Sequence, residues 1–174
     1  MDSTAQSFMQ LAITAAQRVY STAPNPRVGC VIVRDGKIVG TGLHEKPGEH
    51  HAEVNALLAA GEAAKGATAY VSLEPCCHFG RTPPCTQALI SAGVSEVVFA
   101  MLDPNPLVAG KGVQALRDAG IKVTGPLLES EAKAINRGFI KRMTAGLPFV
   151  SCKMAMSLDG RTAMASGESQ WITG

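Results

Sequence analysis

The chain has 174 residues, 46% of them hydrophobic and 17% charged, with a formal net charge of +2. That length supports one well-buried domain and part of another, and the absence of a Lys/Arg stripe argues against a nucleic-acid partner while leaving room for a small anionic ligand. No apolar run reaches the roughly 18 residues of a membrane span, and the N-terminus lacks the basic and apolar blocks of an export signal, so no membrane contact and a cytoplasmic location are expected.

Phe8, Leu11, Ala12, Ala15 and Val19 recur at helical spacing and predict a helix over 5–20. Pro24 and Pro26 end it. "VGCVIV" and "IVGTGL" flank Asp35-Gly36 and predict a β-hairpin. An Ala- and Leu-rich helix over 51–66 stops at Gly66. "ATAYVSL" reads as a strand running into the loop "EPCCHFGRTPPC". Pro83 and Pro84 then announce a helix from Cys85. A strand over 95–101, the loop "DPNPLVAGKG", a helix over 113–120, a strand over 121–127 and one final helix over 129–146 complete the pattern. Strands alternating with helices predict a layered α/β domain, and the opening hairpin makes its sheet mixed. Sites in such sheets lie beyond the strand ends, where the loops around 44–53, 74–85 and 103–106 fall. From Leu147 onward the chain starts like a strand and turns Gly- and Ser-rich. It is read as the opening of a second domain, with 1–146 forming the first.

Three of the five cysteines lie between Glu74 and Cys85. An odd count without an export signal disfavours a disulfide framework and favours metal binding or catalysis. His51, at a helix start, Cys76, after a strand, and Cys85, at a helix N-terminus where a thiolate is favoured, offer one imidazole and two sulfurs. That donor set suits tetrahedral Zn2+ with one position open, as in catalytic sites. Glu53, two residues beyond His51, is placed to shuttle protons. A structural zinc site completed by Cys77 or His78 remains open, as does iron in place of zinc. A redox pair of Cys76 and Cys77 is disfavoured by the geometry of adjacent cysteines. Cys30 and Cys152 are expected in the core. Asn25 between two prolines could read a ring edge or merely turn the chain. Arg81 suits an anionic ligand, and Asp103 and Asn105 could cap turns beside Pro104 and Pro106.

His-x-Glu followed downstream by Pro-Cys is the pattern of the zinc deaminases. "HAEVNAL" and "LEPCCHFGRTPPC", together with "PNPRVGCVIV", "DPNPLVAGKG" and "SLDGRTAMASGESQWIT", resemble the bifunctional riboflavin-biosynthesis deaminase–reductase family. Eight residues separate the paired cysteines, where cytidine and tRNA adenosine deaminases have two. The resemblance implies a cytidine-deaminase-like three-layer α/β/α sandwich. It implies hydrolysis of the 2-amino group of 2,5-diamino-6-ribosylamino-4(3H)-pyrimidinone 5′-phosphate. His51, Cys76 and Cys85 would bind Zn2+ and Glu53 would be the proton donor. Asn25, His44, His78, Arg81, Asp103, Asn105, Lys153 and Ser169 match substrate contacts, and Ala155 and Trp171 match NADP contacts of a reductase portion begun at 147–174. Such a reductase would use NADPH, and a homo-oligomer is compatible with the family. Cys77 departs from the Ser common in relatives. Rival readings are a deaminase of another base and a non-enzymatic zinc module.

Overall fold

The computed structural model describes residues 3–20, 22–80 and 82–170. Strands β1 (Gly29–Arg34) and β2 (Lys37–Leu43) pair antiparallel as the expected hairpin. Asp35 and Gly36 both take positive φ, 51° and 73°, as a tight two-residue turn between twisted strands requires. β3 (Thr68–Val71) pairs antiparallel with β1, while β4 (Glu96–Phe99) and β5 (Lys122–Thr124) add in parallel. The result is a mixed five-stranded sheet in the order β2-β1-β3-β4-β5.

Strand residues alternate between two cores. Cys30, Ile32, Ala69, Val71 and Val97 face helices α2 (Ala52–Ala60), α3 (Cys85–Ser91) and α4 (Lys111–Asp118). Val31, Val33, Tyr70 and Val98 face α1 (Ser3–Gln17) and α5 (Glu129–Ile135). Both sheet faces are covered, so the expected three-layer α/β/α sandwich is the observed architecture.

Small residues set how closely helix meets sheet. A Cβ built on Gly40 would lie 2.2 Å from the Ala56 carbonyl oxygen, and one on Gly42 would lie 2.2 Å from that of Ala52. α2 therefore rests directly on the β2 backbone, presenting Ala52, Ala56 and Ala60 to it. This contact holds His51 and Glu53, at the start of α2, beside the end of the sheet. A 3-10 turn over Gly61–Ala64 carries the chain on to Gly66.

Several expectations need correction. The helix expected over 51–66 is α-helical only to Ala60, where Gly61 takes positive φ (53°) and the chain tightens into the 3-10 turn. The final helix is two: α5 ends at Ile135 and α6 spans Arg137–Ala145. Asn136 between them (φ −116°, ψ 21°) turns its amide onto Arg27, accepting the Arg27 N–H (2.8 Å) and donating to the Arg27 carbonyl (2.9 Å). The tether outweighs the intrinsic helix tendency of the segment. α4 begins at Lys111, two residues earlier than expected, because its first turn is capped from outside. Cys30 is fully buried, but Cys152 is exposed, since 147–170 form no helix or strand and pack little surface against the domain. No helix among the described residues is long and apolar enough to cross a membrane.

Candidate metal centre

Three elements converge beyond the sheet. His51 is the N-cap of α2, Cys76 follows β3, and Cys85 opens α3 after Pro84. His51 Nδ1 lies 3.0 Å from Cys85 Sγ and 3.6 Å from Cys76 Sγ, and the two sulfurs are 3.5 Å apart. Around tetrahedral zinc, with Zn–S of about 2.3 Å and Zn–N of about 2.05 Å, neighbouring donors stand about 3.6–3.8 Å apart. The observed triangle is slightly tighter and has the right donors, so the residues fit Zn2+. Among the described residues the group holds these three donors and no fourth Cys, His, Asp or Glu. Neither Cys77 nor His78 joins it, which disfavours a closed structural site.

The remaining ring nitrogen of His51, Nε2, lies 3.3 Å from the Thr82 hydroxyl. A proton on Nε2 donated to that oxygen leaves the Nδ1 lone pair facing the sulfurs, the usual way an outer hydrogen bond fixes a ligand's tautomer. Thr82 comes from the long stretch between the two cysteines. The extra length thus returns a hydroxyl to the ligand histidine.

The dipole end of α3 serves Cys76 rather than Cys85, contrary to expectation. The backbone N–H of Cys85 donates to Cys76 Sγ at 3.3 Å. The Cys85 thiol, first of all, and then His51 and that N–H hold Cys76 well below the usual thiol range, against the opposing effect of burial. Cys85 is pushed up by its contact with Cys76 and by burial. Glu53 is 3% exposed. Burial first, and the charge on Cys76 second, raise its carboxyl to about 7, with His51 partly offsetting them.

A cavity of about 350 Å³ opens onto these groups, lined by His51, Glu53 and Cys76. Its size is within the range of small-molecule sites. Of the expected substrate contacts, Asn25, His44, His78, Asp103 and Asn105 line it. His44 Nδ1–H donates to the His50 carbonyl (3.1 Å), so Nε2 accepts from the Asn25 amide at 3.0 Å. Burial lowers the His44 pKa, in keeping with a neutral ring. His78 Nδ1 is buried with no hydrogen-bond partner among the described residues. Asp103 Oδ1 accepts the Asn105 N–H (2.8 Å), and Asn105 Oδ1 accepts that of Leu107 (3.1 Å), so both cap turns as well as line the cavity. Lys153, Ala155 and Ser169 lie in the exposed 147–170 segment and do not line it. Arg81 and Trp171 fall outside the described residues.

Sequence reading missed Phe139, Arg142 and Met143, which form one wall of the cavity. Their spacing along α6 is that of one helical face, but which face meets the cavity depends on the break at Asn136.

Residues 2–101, more than half of the chain, match the family described as the cytidine and deoxycytidylate deaminase zinc-binding region, and residues 148–174 match the RibD C-terminal domain. The riboflavin biosynthesis protein RibD of Haemophilus influenzae is 64% identical over 168 residues, 96% of this chain and 45% of that protein. RibD of Escherichia coli is 62% identical over 167 residues, 95% of this chain and 46% of that protein. The chain therefore spans about half the length of the curated relatives it matches. Among solved structures, Acinetobacter baumannii RibD superposes with a TM-score of 0.91 at 61% identity, covering 98% of this chain and 48% of that one. A Thermotoga maritima diaminohydroxyphosphoribosylaminopyrimidine deaminase/5-amino-6-(5-phosphoribosylamino)uracil reductase gives 0.91 at 42% identity, covering 98% and 50%. With a histidine, two cysteines and a buried glutamate gathered at the end of a mixed sheet, and with RibD proteins as near relatives, the chain belongs to the zinc-dependent cytidine and deoxycytidylate deaminase family.

Proposed function

We propose that this chain hydrolyses the 2-amino group of 2,5-diamino-6-ribosylamino-4(3H)-pyrimidinone 5′-phosphate, releasing ammonia and 5-amino-6-(5-phosphoribosylamino)uracil, a step of riboflavin biosynthesis. The observation that carries this reading is the triangle of His51, Cys76 and Cys85 beside buried Glu53, opening on a cavity of about 350 Å³. His51, Cys76 and Cys85 would hold the metal, and zinc there would supply Lewis acidity and make water a stronger acid, with a pKa of about 7.

The protein's own groups do the rest. Glu53 takes one proton of the attacking water and passes it to the ring nitrogen; it then takes the proton of the new C–OH group and delivers it to the departing amine, leaving C=O. A C–O bond forms, the C–N bond breaks, and one water is consumed for each ammonia released. His44, held neutral and oriented by His50 and Asn25, forms one side of the base pocket with Asn25. His78 Nδ1, which lacks a partner among the described residues, gains one from the bound pyrimidine, as a buried polar atom requires. Asp103 and Asn105 read the opposite edge. Arg81, and Lys153 from the following segment, supply charge for the phosphate.

Residues 1–146 form the deaminase domain, and 147–174 begin a reductase domain in which Ser169 contacts substrate and Ala155 and Trp171 contact NADP. NADPH reduction belongs to that domain as a whole. The enzyme works in the cytoplasm, and a homo-oligomer is compatible with its family.

The test is ammonia release by the zinc-loaded protein on the diaminopyrimidine nucleotide, with cytidine and deoxycytidylate in parallel. Turnover confined to the diaminopyrimidine is expected. Preference for either comparison substrate overturns the substrate assignment, and no turnover on any of them overturns the activity.

A further inference from the structure

Glu74 stands immediately before Pro75 and Cys76 and is 3% exposed. No Lys or Arg pairs with it among the described residues. Burying a carboxylate without a cation is costly unless hydrogen bonds replace its hydration. Four backbone N–H groups do so. Oε2 accepts from Asp103 (3.1 Å) and Gly110 (2.9 Å), and Oε1 accepts from Gly112 (3.0 Å) and Val113 (3.1 Å).

These donors belong to one loop and the helix it feeds. Gly112 and Val113 are in the first turn of α4, whose N-cap, Gly110, has no side chain to offer. Glu74 thus supplies from another strand end the acceptor that a Ser or Asp N-cap would provide locally. Its negative charge also suits the positive end of α4. The approach is close: a Cβ on Gly112 would stand 2.0 Å from the Pro75 carbonyl oxygen. The Glu74 N–H donates to the Met101 carbonyl at 2.9 Å, so backbone and side chain grip the same loop. From Asp103 the order passes on, since its carboxylate fixes the Asn105 N–H and Asn105 fixes that of Leu107.

We infer that Glu74 is a positioning residue: its buried carboxylate clamps the loop bearing Asp103 and Asn105 to the loop bearing Cys76, setting the width of the cavity between metal and substrate edge. The inference rests on the reading of this cavity as the substrate site. Its consequence is that substrate affinity, rather than metal affinity, depends on Glu74.

The test compares Glu74→Gln with wild type, both zinc-loaded. The amide keeps one acceptor but turns an NH2 towards one pair of N–H donors. Unchanged zinc stoichiometry is expected, with KM for the diaminopyrimidine nucleotide raised by about tenfold or more, the scale of a buried hydrogen-bonding group left unpaired. Because Glu74 acts through Asp103, the KM effects of Glu74→Gln and Asp103→Asn should be less than additive in the double variant. A KM within twofold of wild type, zinc loss without a KM change in the loaded fraction, or strictly additive effects would each overturn the inference. Should Glu74→Gln fail to fold, amide exchange in the wild-type chain decides: the N–H groups of Asp103, Gly110, Gly112 and Val113 should be protected together, and exchange at the rate of a free loop refutes the clamp. Absence of wild-type turnover on any aminopyrimidine nucleotide refutes the substrate-site reading instead, and with it the part of the inference that concerns affinity.

Discussion

Asn136→Ala tests whether a single side chain divides the C-terminal helices and holds the Asn25 loop. Asn136 is 3% exposed and makes two hydrogen bonds, 2.8 and 2.9 Å long, to the N–H and C=O of Arg27. Truncation leaves both backbone groups of a part-buried residue without partners. Each such group costs about 1–3 kcal/mol when water cannot reach it fully, so the expected loss is about 2–4 kcal/mol. Asn136→Asp keeps the acceptor for the Arg27 N–H but sets a second acceptor against the Arg27 carbonyl, so it should not rescue. Urea unfolding of the zinc-loaded protein, followed by far-UV circular dichroism, measures the loss as a lower midpoint at an unchanged slope. Arg27 is two residues from Asn25, so KM for the nucleotide should rise as well. A loss below about 0.5 kcal/mol, the usual size for an uninvolved surface position, would refute the reasoning and leave the helix break unexplained.

Other outcomes follow from the same geometry. Glu53→Gln should keep its zinc, read by metal analysis, yet lose at least about a hundredfold in turnover, the lower range for removal of a positioned acid–base group. Cys85→Ala should lose both zinc and activity, whereas Cys77→Ser, outside the donor triangle, should keep both. Gly42→Ala puts a methyl 2.2 Å from the Ala52 carbonyl oxygen and 2.4 Å from the Ala56 nitrogen. It should lift the start of α2 and cost about 1–3 kcal/mol, as overpacking does, with weakened zinc retention against a chelator. Asp103 has its carboxyl raised to about 6, chiefly by burial, with the Asn105 N–H opposing and Glu74 and Cys76 adding to the rise while His78 lowers it. A raised carboxylate binds its proton more tightly in the folded state. Its contribution therefore favours folding below the ordinary value near 4 and is lost as pH rises through about 6. Compared with wild type at pH 7 and pH 4.5, Asp103→Asn should gain relative stability at the higher pH; a difference independent of pH contradicts the assignment.

Much of the site was legible because it is local in the chain. His-x-Glu, Pro-Cys and a cysteine following two prolines each sit at a helix or strand terminus marked by its own residues, so ligands and elements could be placed together. The hairpin at Asp35-Gly36 and the mixed sheet followed from alternation and turn chemistry, which act over a few residues. Glu74, Thr82, Asn136 and the Phe139–Met143 wall could not be found in this way. Each matters through a partner far along the chain, 109 residues away in the case of Arg27 and Asn136.

The linear order of residues determined which stretches become helix or strand, which side chains can bind a metal, and how they are spaced, because backbone preference and side-chain chemistry belong to the residues themselves. Only the folded arrangement decided which sulfur receives the α3 amide, which nitrogen of His51 faces the cysteines, and which buried carboxylate clamps the cavity. Those properties are set by ångström-scale distances between distant segments, and packing alone establishes them.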